Sequence, residues 1–214
     1  MASGGYTYAQ MKSAVQLAVR RIAGDDTRFV LDLVPYFVND AYHEIDRRLR
    51  WTRCTYDIAT VDGTYEYIVP SSVREYLQVS LKDTDGNITR LEPMSLDEWI
   101  DDRGTTDFEG TPEHYIQHGD RIYLYPTPDT SAQTVTIYVV GEPPSLSADD
   151  DKPGFPVHLH QLCIRQAVAR CMRHLGMQQD ARTEEAFVDL KIDEESRSAA
   201  MKRGGSGRVM HHGA

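Results

Sequence analysis

The densest run of potential metal ligands and nucleophiles is HLHQLC, which puts His158, His160 and Cys163 within two helical turns. A tetrahedral metal site needs several such side chains converging on one point. On a helix the two histidines point about 200° apart and do not converge. They read as one surface histidine and one at a helix boundary. His114 and His118 flank a short strand, and His211 and His212 stand near the end; none belongs to an HExxH array. DTDGN at 83–87 opens like a calcium loop but lacks the distal glutamate, so a hairpin turn is the better reading. The carboxylates at 97–102 and 149–151 read as solvated loops rather than an acid–base pair. There is no G-x-S-x-G, no G-x-x-x-x-G-K-[ST] and no G-x-G-x-x-G. Gly204, Gly205 and Gly207 follow a helix, whereas a phosphate cradle precedes one. No catalytic residue, metal or cofactor is expected.

Composition narrows the class further. The 214 residues, 40% hydrophobic and 26% charged, suffice for a folded core. No run approaches the roughly 18 apolar residues of a membrane span. The opening MASGGYTYAQMK has no basic-then-apolar pattern, so secretion is not expected. Cys54, Cys163 and Cys171 form no CxxC, which suggests buried thiols in a reducing compartment. A net charge of −10 argues against a whole-surface grip on DNA. Tyrosine outnumbers phenylalanine 12 to 5. An apolar ring with a polar tip suits half-wet surfaces and interfaces.

These side chains must be positioned by helices at both ends and strands between. Met11, Val15, Ala18, Val19 and Ile22 predict a helix over 7–23, with Thr7 as cap and Gly24 as stop. Phe29, Leu33, Phe37, Ala41, Ile45 and Leu49, with Val30, Val34, Val38 and Tyr42, form a wide apolar stripe whose regular helix spans about 34–50. From 53 to 141 the period is two, giving roughly six strands, with hairpins at Asp62-Gly63, Asp85-Gly86 and His118-Gly119-Asp120. Ser95 and Glu98 form a capping box for a short helix over 95–101. Pro156 opens a helix that Gly176 stops, and a last helix, capped by Asp180, runs over about 179–202. The expected class is α+β: a four-helix domain (1–52 and 153–202) holding an inserted antiparallel β-sandwich or barrel (53–142), with a linker (143–152) and an extended C-terminal arm (203–214). In GDRIYLYPTPD, Tyr123 and Tyr125 are expected at a contact surface, with Pro126 and Pro128 blunting a sheet edge.

Four stretches carry a likeness: VPYFVNDAYHEIDRRLRW at 34–51, TYEYIVP at 64–70, GTPEHYIQHGDRIYLYPTPD at 110–129 and YVVGEPPSLSADDD at 138–151. In this order, over about residues 10 to 190, the chain resembles the head–tail adaptor (connector) proteins of tailed bacteriophages. The resemblance implies a structural virion protein, not an enzyme, assembled in the host cytoplasm. It implies a homo-oligomeric ring, typically a dodecamer, between the portal protein and a downstream tail or nozzle protein. DNA would pass through the channel without specific binding, and an acidic lumen would help it slide. Tyr42, Trp51, Tyr123 and Tyr125 are expected at subunit or tail interfaces. After Glu195 the charge turns basic, and Lys202, Arg203, Gly204, Gly205, Arg208, Val209 and Met210 are expected to form a portal-docking arm. The other class these features allow is a monomeric or dimeric tail-completion or host-factor-binding module.

Overall fold

A computed structural model of the chain describes residues 5–23, 28–103 and 108–204, with side chains over 5–23, 30–101 and 108–198. In chain order the elements are α1 (Tyr8–Ala23), α2 (Arg28–Leu31), α3 (Val34–Leu49), β1 (Arg53–Ala59), β2 (Glu66–Ile68), β3 (Val73–Lys82), β4 (Ile88–Pro93), α4 (Leu96–Arg103), β5 (Glu109–Gly110), β6 (His114–His118), β7 (Arg121–Tyr125), β8 (Thr127–Pro128) and β9 (Thr134–Gly141). A 3-10 turn at Val157–Leu159 leads into α5 (His160–His174), and α6 (Gln178–Gly204) follows. The class is α+β, in two compact units: Met1–Thr52 with Pro143–Ala214, and Arg53–Glu142.

In the first unit the helices form where periodicity and end groups agree. Thr7 and Gln10 cap α1 reciprocally: the Gln10 amide donates to Thr7 Oγ1 (3.3 Å) and the Thr7 amide to Gln10 Oε1 (2.9 Å). Two more free amides of α1, those of Tyr8 and Ala9, donate to the carbonyls of Asp151 (2.8 Å) and Asp149 (3.1 Å). The proline-rich connector thus completes the N-terminal cap of α1. Pro35 occupies the first turn of α3, where its missing N–H costs nothing. The stripe of α3 is buried at Val34, Val38, Ala41, Tyr42 and Ile45. With Met11, Val15 and Val19 of α1, Leu162, Cys163, Ala167 and Cys171 of α5, and Ala181, Val188 and Ile192 of α6, it forms one core.

Two local expectations change here. Pro156 opens a 3-10 turn, and the regular helix begins only at His160. Asp180 lies inside the first turn of α6, which starts at Gln178. At that position its carboxylate faces the positive end of the helix without capping it.

The second unit is built on a seven-stranded sheet in the order β1-β9-β3-β4-β6-β7-β2. β1, β3 and β9 pair antiparallel in long register, whereas β4 and β6 pair parallel over Glu92–His114 and Pro93–Tyr115. Val79, Leu81, Leu91, Ile122, Leu124, Ile137 and Val139 form its core. Cys54, Tyr56 and Ile58 of β1 pack on that core, and so does Tyr67 of β2, although these strands end the sheet on opposite sides. The sheet therefore curls around its own apolar face. The β3–β4 hairpin turns at Gly86 (φ 91°), with Asn87 tied to the Asp83 carboxylate through its amide and side chain (both 2.8 Å). DTDGN is thus a turn, and the bond from Asn87 holds the Asp83 carboxyl below its usual range. Asp62-Gly63 is also a turn, with Gly63 at φ 70°, but not a hairpin. β1 pairs with β9 and β2 with β7, so the turn carries the chain from one sheet end to the other.

Candidate assembly surfaces

The residues that looked capable of metal or nucleophilic chemistry are engaged locally. His158 is exposed, with Nε2 3.2 Å from Glu195 Oε1. His160 is buried at the start of α5, its Nδ1 3.3 Å from the Tyr6 carbonyl and its Nε2 3.0 Å from that of Phe155. Gly5 lies against this ring so closely that an added Cβ would stand 2.6 Å from it. Among the described residues no group of His, Cys, Asp and Glu could hold a metal ion. Cys163 and Cys171 are buried free thiols. Loss of hydration raises both thiol pKa values, with the Asp46 charge adding to the effect at Cys163, and Cys171 reaches about 12. Glu98 completes the capping box, its Oε2 accepting from the Ser95 amide (3.0 Å), and these bonds lower its pKa. Asp149 pairs with Lys12 (2.8 Å), and Asp151 accepts from the amides of Ser147 (2.7 Å) and Ala148 (2.8 Å), which lower its pKa.

The residues of the N-D-A-Y stretch fasten the connector to α3. Asn39 Nδ2 donates to the Leu146 carbonyl (3.0 Å), and Asn39 Oδ1 accepts from the Leu146 amide (2.7 Å). The side-chain amide thus imitates a strand partner. His43 Nε2 lies 3.1 Å from Ser145 Oγ, and Tyr42 Oη accepts from the Gly154 amide (3.3 Å). Tyr42 is 2% exposed and packs on Phe155, so its contacts are inside the unit; burial raises its pKa. Trp51 is 44% exposed, with Nε1 donating to the Gly154 carbonyl (3.1 Å). Periodicity could not show Asn39's role, because its partner lies 107 residues away.

A polar cleft of about 750 Å³ opens among α3, α5 and α6. Arg170 bridges Asp40 and Glu44, and Gln166 Nε2 donates to Glu44 Oε2 (2.9 Å). Arg173 pairs with Glu185 and Arg48 with Asp189, both at 2.5 Å. Burial lowers the pKa of Arg170. The cleft holds an ion-pair network, with Arg47 exposed on its wall and without an ion-pair partner among the described residues.

In the β unit, Tyr123 and Tyr125 are each half-buried. Tyr123 meets Trp99 of α4 (centroids 5.1 Å) and stacks on Tyr65 (6.1 Å, 25°). Ile116, opposite Tyr123 in the β6–β7 register, is buried at 1% but lies outside the core cluster of the sheet. It shares the α4-covered outer face with Tyr123. α4 therefore docks through Trp99 on a small second core, a long-range packing that the short helix's own sequence does not reveal. The prolines act differently from expectation. β7 is flanked by β6 and β2, so it is not an edge, and the three-residue β2 is. After the cis Tyr125–Pro126 bond the chain continues as β8, which pairs with β5. Ile68, on the edge strand, is 71% exposed.

Lys202, Arg203 and Gly204 form the last residues of α6, which runs past the expected end at 202. Gly205, Arg208, Val209 and Met210 lie outside the described residues.

Compared with known families, residues 6–209 match the family described as SU10 adaptor protein. The match spans both units and most of the C-terminal stretch. No curated protein matches the chain.

Proposed function

Since the chain belongs to the SU10 adaptor protein family, in keeping with its resemblance to phage head–tail adaptors, we propose that it forms a homo-oligomeric, dodecameric ring between the portal and the tail. The observation that carries this reading is the family match over 6–209, which takes in the helical unit, the inserted sheet and part of the arm. A phage structural adaptor belongs to the virion, and among the described residues no helix is long and apolar enough to cross a membrane.

In this reading the helical unit is the four-helix adaptor domain, docking on the portal protein and lining the channel. The curled insertion, proposed as the small sandwich or barrel of the adaptor, faces the downstream tail or nozzle protein. Trp51, with its exposed edge, and the wet sides of Tyr123 and Tyr125 are offered to neighbours. Such half-buried aromatics are favoured at interfaces. The net charge of −10 suits a lumen that repels phosphate and lets DNA slide without specific binding. The chain serves as a structural part rather than an enzyme.

The arm, Lys202 to Met210 and beyond, is proposed to dock on the portal. Arg203 and Arg208 would pair with portal carboxylates, Val209 and Met210 would anchor, and Gly204 and Gly205 would let the backbone turn. A ring presents many arms together, so weak single contacts add. The test is a portal pull-down at physiological salt with the full chain and with a chain lacking 203–214. The truncated chain is expected to stay folded and lose stable attachment; attachment at wild-type strength would refute the arm's role.

A further inference from the structure

We propose that copies of this chain join head to tail, the outer face of α1 in one copy packing on the outer face of α6 in the next; this rests on the ring reading above. α1 and α6 each pack on α3 and α5, with no comparable packing between them among the described residues. They therefore flank the α3–α5 pair on opposite sides. A heterologous contact needs two different faces of this kind, and it closes into a ring when the rotation fits.

Both faces carry apolar side chains that stay at least partly exposed in the subunit. On α1 the core side is Met11, Val15 and Val19, and the far side presents Ser13, Leu17, Arg20 and Arg21, with Leu17 55% exposed. On α6 the core side is Ala181, Val188 and Ile192. Asp180, Thr183, Phe187 and Leu190 recur at i, i+3, i+7 and i+10 and so share another face. On it Leu190 is 57% exposed, and Phe187, 36% exposed, has the Arg165 guanidinium 4.0 Å over its ring.

The two helices differ in charge, and each outer face carries a charge of opposite sign that is unpaired among the described residues. α1 has no acidic residue and three bases, Lys12, Arg20 and Arg21. Lys12 is held by Asp149, whereas Arg20 and Arg21 are exposed with no ion-pair partner among the described residues. Residues 178–198 of α6 hold seven carboxylates against three bases. Several of these are paired within the subunit, but Asp180 is exposed and has no ion-pair partner among the described residues. Asp25 and Asp26, which follow α1, lie outside the described residues and stay intact in the variants below.

The heights of these groups agree. The Tyr6 carbonyl meets His160, and Glu195 meets His158, so the start of α1 and the late turns of α6 lie level with the start of α5. From there, at about 1.5 Å per residue, Leu17 stands ~14 Å along α1 and Phe187 ~12 Å back along α6. Arg20 and Arg21 stand ~18–20 Å along, and Asp180 ~22 Å. Side by side, two copies whose helices run along the ring axis set Leu17 against Phe187 and Leu190, and the two arginines against Asp180.

The test measures self-association of the full chain by sedimentation, up to on the order of 1 mM, which reaches even millimolar affinities. Arg20→Glu with Arg21→Glu, Asp180→Arg, and the three changes combined are compared with wild type, and thermal melting verifies folding. Leu17→Asp probes the apolar part independently. Each charge reversal and Leu17→Asp is expected to weaken association at least ~10-fold, and the combined charge variant to recover most of it. In Arg21→Lys oligomers a carbodiimide is expected to link Lys to Asp180 of the neighbour. Wild-type rings that tolerate the reversals, or that cross-link elsewhere, overturn this interface and leave the ring reading standing. A wild-type chain that stays monomeric at every concentration, both alone and with the portal protein present, overturns both.

Discussion

Replacing Asn39 by alanine removes the side chain that binds the connector to α3. It would lose both bonds to Leu146 (2.7 and 3.0 Å) and two weaker ones, to the Tyr8 hydroxyl (3.2 Å) and the Pro35 carbonyl (3.3 Å). At about 1 kcal/mol net for each bond to Leu146, with an added cost for groups left partly unsatisfied, the loss is about 2–3 kcal/mol. In a chain of this size that lowers the melting temperature of the helical unit by roughly 4–12 °C. Urea titration followed by Trp51 fluorescence suits this measurement, because Trp51 reports on the same connector through Gly154. The two units unfold as separate transitions if they are independent, so the helical transition must be resolved first. Asn39→Asp separates the acceptor role of this side chain from its donor role. It keeps the acceptor for the Leu146 amide but sets a carboxylate against the Leu146 and Pro35 carbonyls, so its damage should shrink as the pH falls and the acid protonates. A loss below ~0.5 kcal/mol for Asn39→Ala would show that its bonds add nothing net to the burial of Leu146 and the connector's other contacts.

Trp99→Ala should release α4 from Tyr123 and Ile116, costing about 2–4 kcal/mol locally; hydrogen exchange should then quicken at 96–101 while β3 and β9 stay protected. Trp51→Ala should cost only about 1–2 kcal/mol in the isolated chain, because nearly half the ring is already wet; a loss above ~3 kcal/mol in urea titration would contradict that placement. Gly63→Ala, at φ 70°, should destabilise the β unit by about 1–2 kcal/mol in thermal melting. Cys163 and Cys171 hold their protons more tightly folded than unfolded. Their contribution is therefore complete below the unfolded pKa of about 8.5 and falls as pH rises above it, by up to ~1.4 kcal/mol per pH unit for each thiol; Cys171→Ala should flatten that slope in alkaline urea titrations.

What could be read from the sequence depended on the range of the interaction. The stripe of α3, the capping box of α4 and the Asp85-Gly86 hairpin are set by residues within a few turns of each other, and they stand where periodicity put them. The Asp62-Gly63 hairpin did not form, because a turn signal reports a reversal and not which strands pair. The tyrosine excess pointed toward surfaces, yet Tyr42 is a core residue tied to Gly154, and Tyr123 spends its dry side on Trp99. Both contacts join residues far apart in sequence. Pro126 and Pro128 looked like an edge guard because nothing local shows that β2 lies outside β7. Family likeness supplied the functional reading, since an assembly surface has no motif chemistry to betray it.

The role proposed for this chain is a ring joining portal to tail. Cryo-electron microscopy of intact virions that carry it tests this most directly. A closed ring of copies beneath the portal is expected, with the helical unit toward the portal and the curled sheet toward the tail. Finding the chain as single copies elsewhere on the particle, or not in the particle, would contradict it.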